Sequence, residues 1–316
     1  MTAQIIPRSI AEIEVSRSFL TDILDETEKM GFALSIACFE GLELEAEEAM
    51  AEAALVASVR GLVVDFALLH ESFHILCGHL SELRESVKIY RESRLGMTRN
   101  ASGQTPYPTE ALLRGYYREL EVDNCALQCM CQLPPRDSAW ELLDSIDFGE
   151  AVESHTFAGL AGIARVVAFR LVTAATWMAV RLMEVNRDGK IRAQSEDHPL
   201  PAARLLACLH TVMEEYAELR EQTDQHGQRL HQLTEREATA LEQYLEHVLK
   251  PALNVFPRVD ELTFANKEHL NMLDIAQELR CSWFGGSYSS EAGRQFGQLQ
   301  SLRNEMEATL KPHRYF

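Results

Sequence analysis

Ala67–Leu80 reads A-L-L-H-E-S-F-H-I-L-C-G-H-L. It is an apolar run of helical character that carries His70, Glu71 and His74 in an H-E-x-x-H arrangement, a pattern tied to metal-assisted hydrolysis. On a helix of 3.6 residues per turn, His70 and His74 stand one turn apart on one face, so both imidazoles reach a single metal ion. Glu71 is turned by about 100° from His70 and reaches a water at the metal rather than the metal itself. The helix lacks a third ligand, which another part of the chain has to supply.

Working outward, Leu44–Leu95 reads as one helical region, with an acidic, alanine-rich start that suits the positive end of a helix dipole. Ile10–Leu24 is helical in pattern, and Gly31–Phe39 has the β-branched and aromatic content of a short strand. Gly96–Thr109, with its glycines and two prolines, is a loop. Helix returns at Glu110–Cys131 and ends before Pro134 and Pro135; Asp137–Phe148 is a short amphipathic piece. Phe157–Met183 is long enough to cross a membrane, but Arg165 and Arg170 interrupt it and its charge-free run is only Leu171–Val180. A span needs about 20 apolar residues, so a buried core helix is expected instead. Further helices are expected at Arg204–Gln222, Thr234–Leu249, Lys267–Leu279 and Glu291–Leu310. The third-last of these opens on a Thr234 and Glu237 capping box and closes before Pro251, and a glycine turn at Ser282–Ser290 separates the last two, with Trp283 as an apolar anchor.

The 316 residues suffice for a full hydrophobic core, and the 25% charged content is that of an ordinary globular chain. A net charge of −18 argues against nucleic acid or an anionic membrane as the main partner. The seven cysteines, odd in number and irregular in spacing, read as reduced thiols, and the N-terminus shows no signal peptide, so a cytoplasmic location is expected.

Two places can supply the third ligand. His79 lies five residues beyond His74, whereas the metzincin pattern needs a histidine six beyond, after a glycine three beyond; here the glycine is Gly78. His79 is therefore read as supporting a ligand, or as ending the helix. The second place is R-E-L-E-V-D-N-C-A-L, Arg118–Leu127. Glu119 and Asp123, four apart, share a helix face, so one carboxylate can bind the metal while the other accepts a hydrogen bond from a ligand histidine. Glu121 points elsewhere and is the runner-up ligand. Cys125, Cys129 and Cys131 read as small buried residues.

H-E-S-F-H-I-L-C-G-H followed by E-L-E-V-D-N-C-A resembles the H-E-x-x-H-x-x-x-G-H and E-x-E-A-D-x-x-A motifs of gluzincin metallopeptidases, including HtpX-like enzymes and the minimal gluzincins. The resemblance implies zinc held by His70, His74 and Glu119, with Glu71 as general base and Asp123 orienting a ligand; Val122 stands where those families have alanine. His198-Pro199 through Arg204 is similar to an H-P-x-x-x-x-R segment of HtpX-like peptidases, implying that His198 and Arg204 steady the transition state. A soluble relative in layout is the Lit-type phage-exclusion peptidase of bacteria. The likeness covers residues 55–210.

The expected fold is thus mainly α, with a small N-terminal β element: a zincin-like metallopeptidase domain over 1–210 and a helical C-terminal region over 211–316 packed on it. The expected function is that of a soluble zinc endopeptidase acting on a protein or peptide substrate. The alternative is a catalytically inactive gluzincin-like regulatory or protein-interaction module.

Overall fold

The computed structural model describes residues 20–25, 27–28, 37–38, 48–79, 109–132, 157–184, 201–218, 233–254 and 272–303. Among these the secondary structure is helical and no strand occurs. Most of the strand expected at Gly31–Phe39 lies outside the described residues, and Ala37 and Cys38 are helical and buried. His198, the loop at Gly96–Thr109 up to residue 108, and Asp137–Phe148 also lie outside them.

Four helices form a closed circuit: α1 (Glu48–Leu76), α2 (Thr109–Gln132), α3 (Phe157–Glu184) and α4 (Pro201–Ala217). Helix α1 packs on α2 and α3, and α4 packs on the same two from the other side. Helix α4 is apolar around most of its circumference, as a helix surrounded by protein has to be. Ala203, Leu205, Leu206, Leu209, Val212 and Met213 are all buried, and so are Arg204, Cys208 and His210 on the same helix. Its outer side receives α7 (Met272–Phe284) and α8 (Glu291–Ser301). The helix crosses residue 210, and one apolar cluster runs from Leu55 in α1 to Leu299 in α8. Trp283 is buried there, stacked on His210 at 5.2 Å.

Several element ends differ from the sequence expectations for reasons the structure supplies. Helix α1 stops at Leu76, because Gly78 takes φ 78°, the left-handed conformation in which a glycine closes a helix. Helix α4 starts at Pro201, whose missing N–H costs nothing in a first turn. It stops at Ala217, where Glu218 adopts φ 55° and is held by Arg165 at 2.6 Å. The capping box forms as expected: Glu237 N–H donates to Thr234 Oγ1, and Thr234 N–H to the Glu237 carboxylate.

That helix does not close before Pro251. Helix α5 (Glu235–Gln243) passes through a π-helical turn (Tyr244–Leu249) into α6 (Lys250–Asn254), and Lys250 N–H reaches Leu245 O, five residues back. Pro251 has no N–H to give to His247 O, the acceptor an α-helix would assign to it. Arg170 of α3 donates to that carbonyl at 2.6 Å, and also to Ala37 O and Cys38 O. Arg170, which interrupts the apolar run of α3, is 2% exposed and satisfies three carbonyls from two places in the chain. No described helix is long and apolar enough to cross a membrane.

Candidate metal centre

The ligand candidates converge from helices far apart in sequence. Helix α1 carries His70, Glu71 and His74; α2 carries Glu119, Glu121 and Asp123; α4 carries Arg204. Nε2 of His70 and Nε2 of His74 lie 3.2 Å apart. Glu119 spans them, with Oε2 at 3.6 Å from His70 Nε2 and Oε1 at 3.5 Å from His74 Nε2. The three side chains can hold one metal ion. The i,i+4 relation on α2 does what the spacing predicts: Glu119 faces the imidazole edges and Asp123 lies beside His70.

The far side of each imidazole has a partner. His70 Nδ1 lies 2.8 Å from Asp123 Oδ1. A carboxylate is an acceptor, so the His70 proton sits on Nδ1 and Nε2 presents a lone pair. His74 Nδ1 lies 3.0 Å from His79 Nδ1, and His79 Nε2 lies 2.7 Å from Glu121 Oε2. The proton between His79 and Glu121 belongs to Nε2, which leaves His79 Nδ1 an acceptor for the N–H of His74. His74 then also presents a lone pair at Nε2. Two lone pairs facing each other at 3.2 Å beside a carboxylate form a ligand set that a cation satisfies, and this is how the residues fit a metal.

Burial, above all, lowers the His74 pKa to about 3; Glu119 pulls the other way, while His70 and His79 add to the lowering. At neutral pH the imidazole is uncharged, the form that binds metals. Asp123 is fully buried. Burial raises its pKa, but the charge and hydrogen bonds of Arg204, with those of His70, outweigh burial and hold it below the usual value. Arg204 Nε donates to Asp123 Oδ2 at 2.5 Å and Nη2 to Oδ1 at 2.8 Å, a two-pronged contact made at 2% exposure. Its Nη2 is also 3.9 Å from Glu119 Oε2. The Cys208 thiol, one turn along α4, hydrogen-bonds Asp123 too; burial first, and then the Asp123 charge, raise its pKa well above the usual value.

Glu71 is half-buried. Burial raises its carboxyl pKa, the nearby Glu119 charge adds to the rise, and His70 and Arg204 oppose it. Glu71 therefore shares the electrostatic field of the His70, His74 and Glu119 group.

His79 and Glu121 take places that spacing alone does not give. The left-handed turn at Gly78 folds His79 back against His74, where it is fully buried. Glu121, the runner-up ligand in sequence, is buried against His79. With Cys77 they make a second group able to hold a metal ion. Asp123 lies behind His70 and His79 behind His74; Arg204 clamps Asp123.

Comparison of the chain with protein-family models, curated proteins and solved structures matches none of them. Among the described residues, fold and site together give a helical protein with a partly buried group of two histidines and one carboxylate that could hold a metal ion, and an adjoining glutamate.

Proposed function

We propose that the protein is a zinc-dependent peptide hydrolase with His70, His74 and Glu119 as the metal ligands and Glu71 as general base. The observation that carries this reading is the convergence of two bare Nε2 atoms and a carboxylate within 4.8 Å of one another, beside a glutamate whose pKa is raised. Two imidazoles and a carboxylate leave a fourth position open, as catalytic zinc requires. Zinc in this place supplies Lewis acidity, polarising a carbonyl and bringing the pKa of water toward neutrality.

The chain's own groups do the rest. Glu71 takes the proton of the attacking water and passes it to the leaving amine, a task that a raised carboxyl pKa favours. Asp123 holds His70 in the Nε2-presenting tautomer, and Arg204 holds Asp123. His79 does the same for His74. The resemblance to gluzincins supports the same division of labour. The seven cysteines, all free, suit a reducing compartment.

Glu71→Gln separates binding from chemistry, because the amide keeps the size of the carboxylate and cannot accept the proton. Zinc content should be unchanged, while cleavage of a peptide library followed by mass spectrometry falls by about 10²–10⁴. Undiminished cleavage in Glu71→Gln, or a zinc-loaded wild-type protein that cleaves no peptide of a broad library, would overturn this function.

A further inference from the structure

The proposed hydrolysis leaves the Cys77 thiol without a task, in a cluster whose other two members support His74. Cys77 and His79 flank the Gly78 turn at the end of α1, and Glu121 faces them from α2. The three offer a thiol sulfur, an imidazole nitrogen and a carboxylate oxygen within 4.8 Å of one another, and all are buried. A thiolate, an imidazole and a carboxylate suit a borderline-soft divalent cation. The group also touches the hydrolytic centre directly, through the 3.0 Å approach of His79 Nδ1 to His74 Nδ1.

We propose that Cys77, His79 and Glu121 form a second divalent-cation site, negatively coupled to the first through the proton that His74 and His79 share. The coupling rests on His70, His74 and Glu119 being a metal site; the second site does not. The reason is a count of protons. Each neutral imidazole carries one N–H. With the second site empty, His74 donates from Nδ1 to His79 Nδ1, His79 donates from Nε2 to Glu121, and His74 Nε2 is free for the first ion. A cation among Cys77, His79 and Glu121 takes the lone pair of His79 Nε2, so the proton of that ring moves to Nδ1. Two N–H groups then face each other across 3.0 Å unless His74 carries its own proton on Nε2, the atom that the first site needs. Each ring keeps one proton throughout, and the Cys77 thiol proton leaves to solvent as the thiolate binds.

The consequence is a discrimination between metals. A harder ion settles among His70, His74 and Glu119. A thiophilic one settles at Cys77 and loosens the first, and by reciprocity the first ion weakens the second to the same degree. Exposure to a soft metal would thus shut down the centre without any contact with its ligands.

Cobalt and cadmium separate the two sites. Wild-type protein loaded with one equivalent of cobalt is titrated with cadmium, following cobalt d–d absorption and the ultraviolet cadmium–thiolate band. The proposal expects the thiolate band to grow in step with loss of the cobalt signal. It also expects Cys77→Ser to bind cobalt as wild type does, to show no thiolate band from this site, and to need about tenfold more cadmium for the same cobalt loss. Cys77→Ala, without a hydroxyl, gives the same result if the sulfur is the cause and guards against a folding defect in the serine variant. A wild-type protein with no Cys77-dependent thiolate band overturns the second site. A thiolate band with the cobalt signal intact overturns the coupling. If cadmium binds through Cys77 but cobalt never binds, the second site stands and the first-site reading falls, and the coupling with it.

Discussion

Asp123→Asn replaces one oxygen by an amide nitrogen of nearly equal size, so its cost isolates charge and hydrogen bonding from packing. Asp123 accepts from Arg204 at 2.5 and 2.8 Å and from His70 at 2.8 Å, with no solvent exposure. Asparagine keeps one acceptor oxygen and turns an N–H toward a former partner that is itself a donor. The guanidinium, 2% exposed, loses its Asp123 counter-charge, while the Glu119 carboxylate remains at 3.9 Å. Removing one member of a buried ion pair costs roughly 3–5 kcal/mol. The nearby Glu119 puts the expected value toward the lower end, about 3 kcal/mol. Loss of the carboxylate that fixes the His70 tautomer should weaken zinc binding by about 10–100-fold. Urea unfolding of metal-free protein, followed by tryptophan fluorescence, reads the first quantity, and competition with a fluorescent chelator reads the second. The double variant Asp123→Asn with Arg204→Met removes the stranded cation and should recover at least about 1 kcal/mol of the loss. An Asp123→Asn protein within about 1 kcal/mol of wild type, with unchanged zinc affinity, would refute the clamp and the tautomer assignment together.

Three further outcomes follow from the same geometry. In metal-free protein the Glu71 carboxyl should titrate above the ordinary value of 4.5, because burial raises its pKa; a Glu71 carboxyl signal, assigned by its loss in Glu71→Gln, that titrates at or below that value contradicts the half-buried placement. Arg170→Met leaves the His247, Ala37 and Cys38 carbonyls without their guanidinium donor and should destabilise the protein by about 3 kcal/mol in urea unfolding. Pro251→Ala returns an N–H that can reach His247 O, so it should offset about 1 kcal/mol in the Arg170→Met background and less in wild type; equal effects in both would break the link between the proline and the arginine.

How much of this could be read in the chain depends on how local the cause is. The pairs His70 and His74, and Glu119 and Asp123, are each one helical turn apart, and helix geometry alone puts each pair on one face. The Thr234 and Glu237 box is likewise complete within four residues. The passage of a helix through Pro251 is not local, because Arg170, 77 residues before His247 in sequence, satisfies the carbonyl that the proline abandons. His79, five residues from His74, fits no ligand pattern and reads as supporting a ligand; what spacing does not give is the route, a left-handed glycine that folds it back against His74. Glu121 sits two residues from Glu119, off the face of the ligand carboxylate. Its task becomes visible only once His79 is there to meet it. Arg204, which the resemblance sets to steady the transition state, is seen hydrogen-bonded to Asp123, a contact no spacing rule gives.

The central claim is the composition of the first metal centre, and zinc K-edge absorption on protein loaded with one equivalent of zinc reads it directly. The spectrum should show nitrogen and oxygen neighbours at about 2.0–2.2 Å, with imidazole scattering from two rings and no sulfur. Glu119→Ala and His74→Ala should each lose the ion on dialysis. A wild-type protein that retains no zinc, or a first zinc with sulfur at about 2.3 Å, would contradict the assignment of His70, His74 and Glu119.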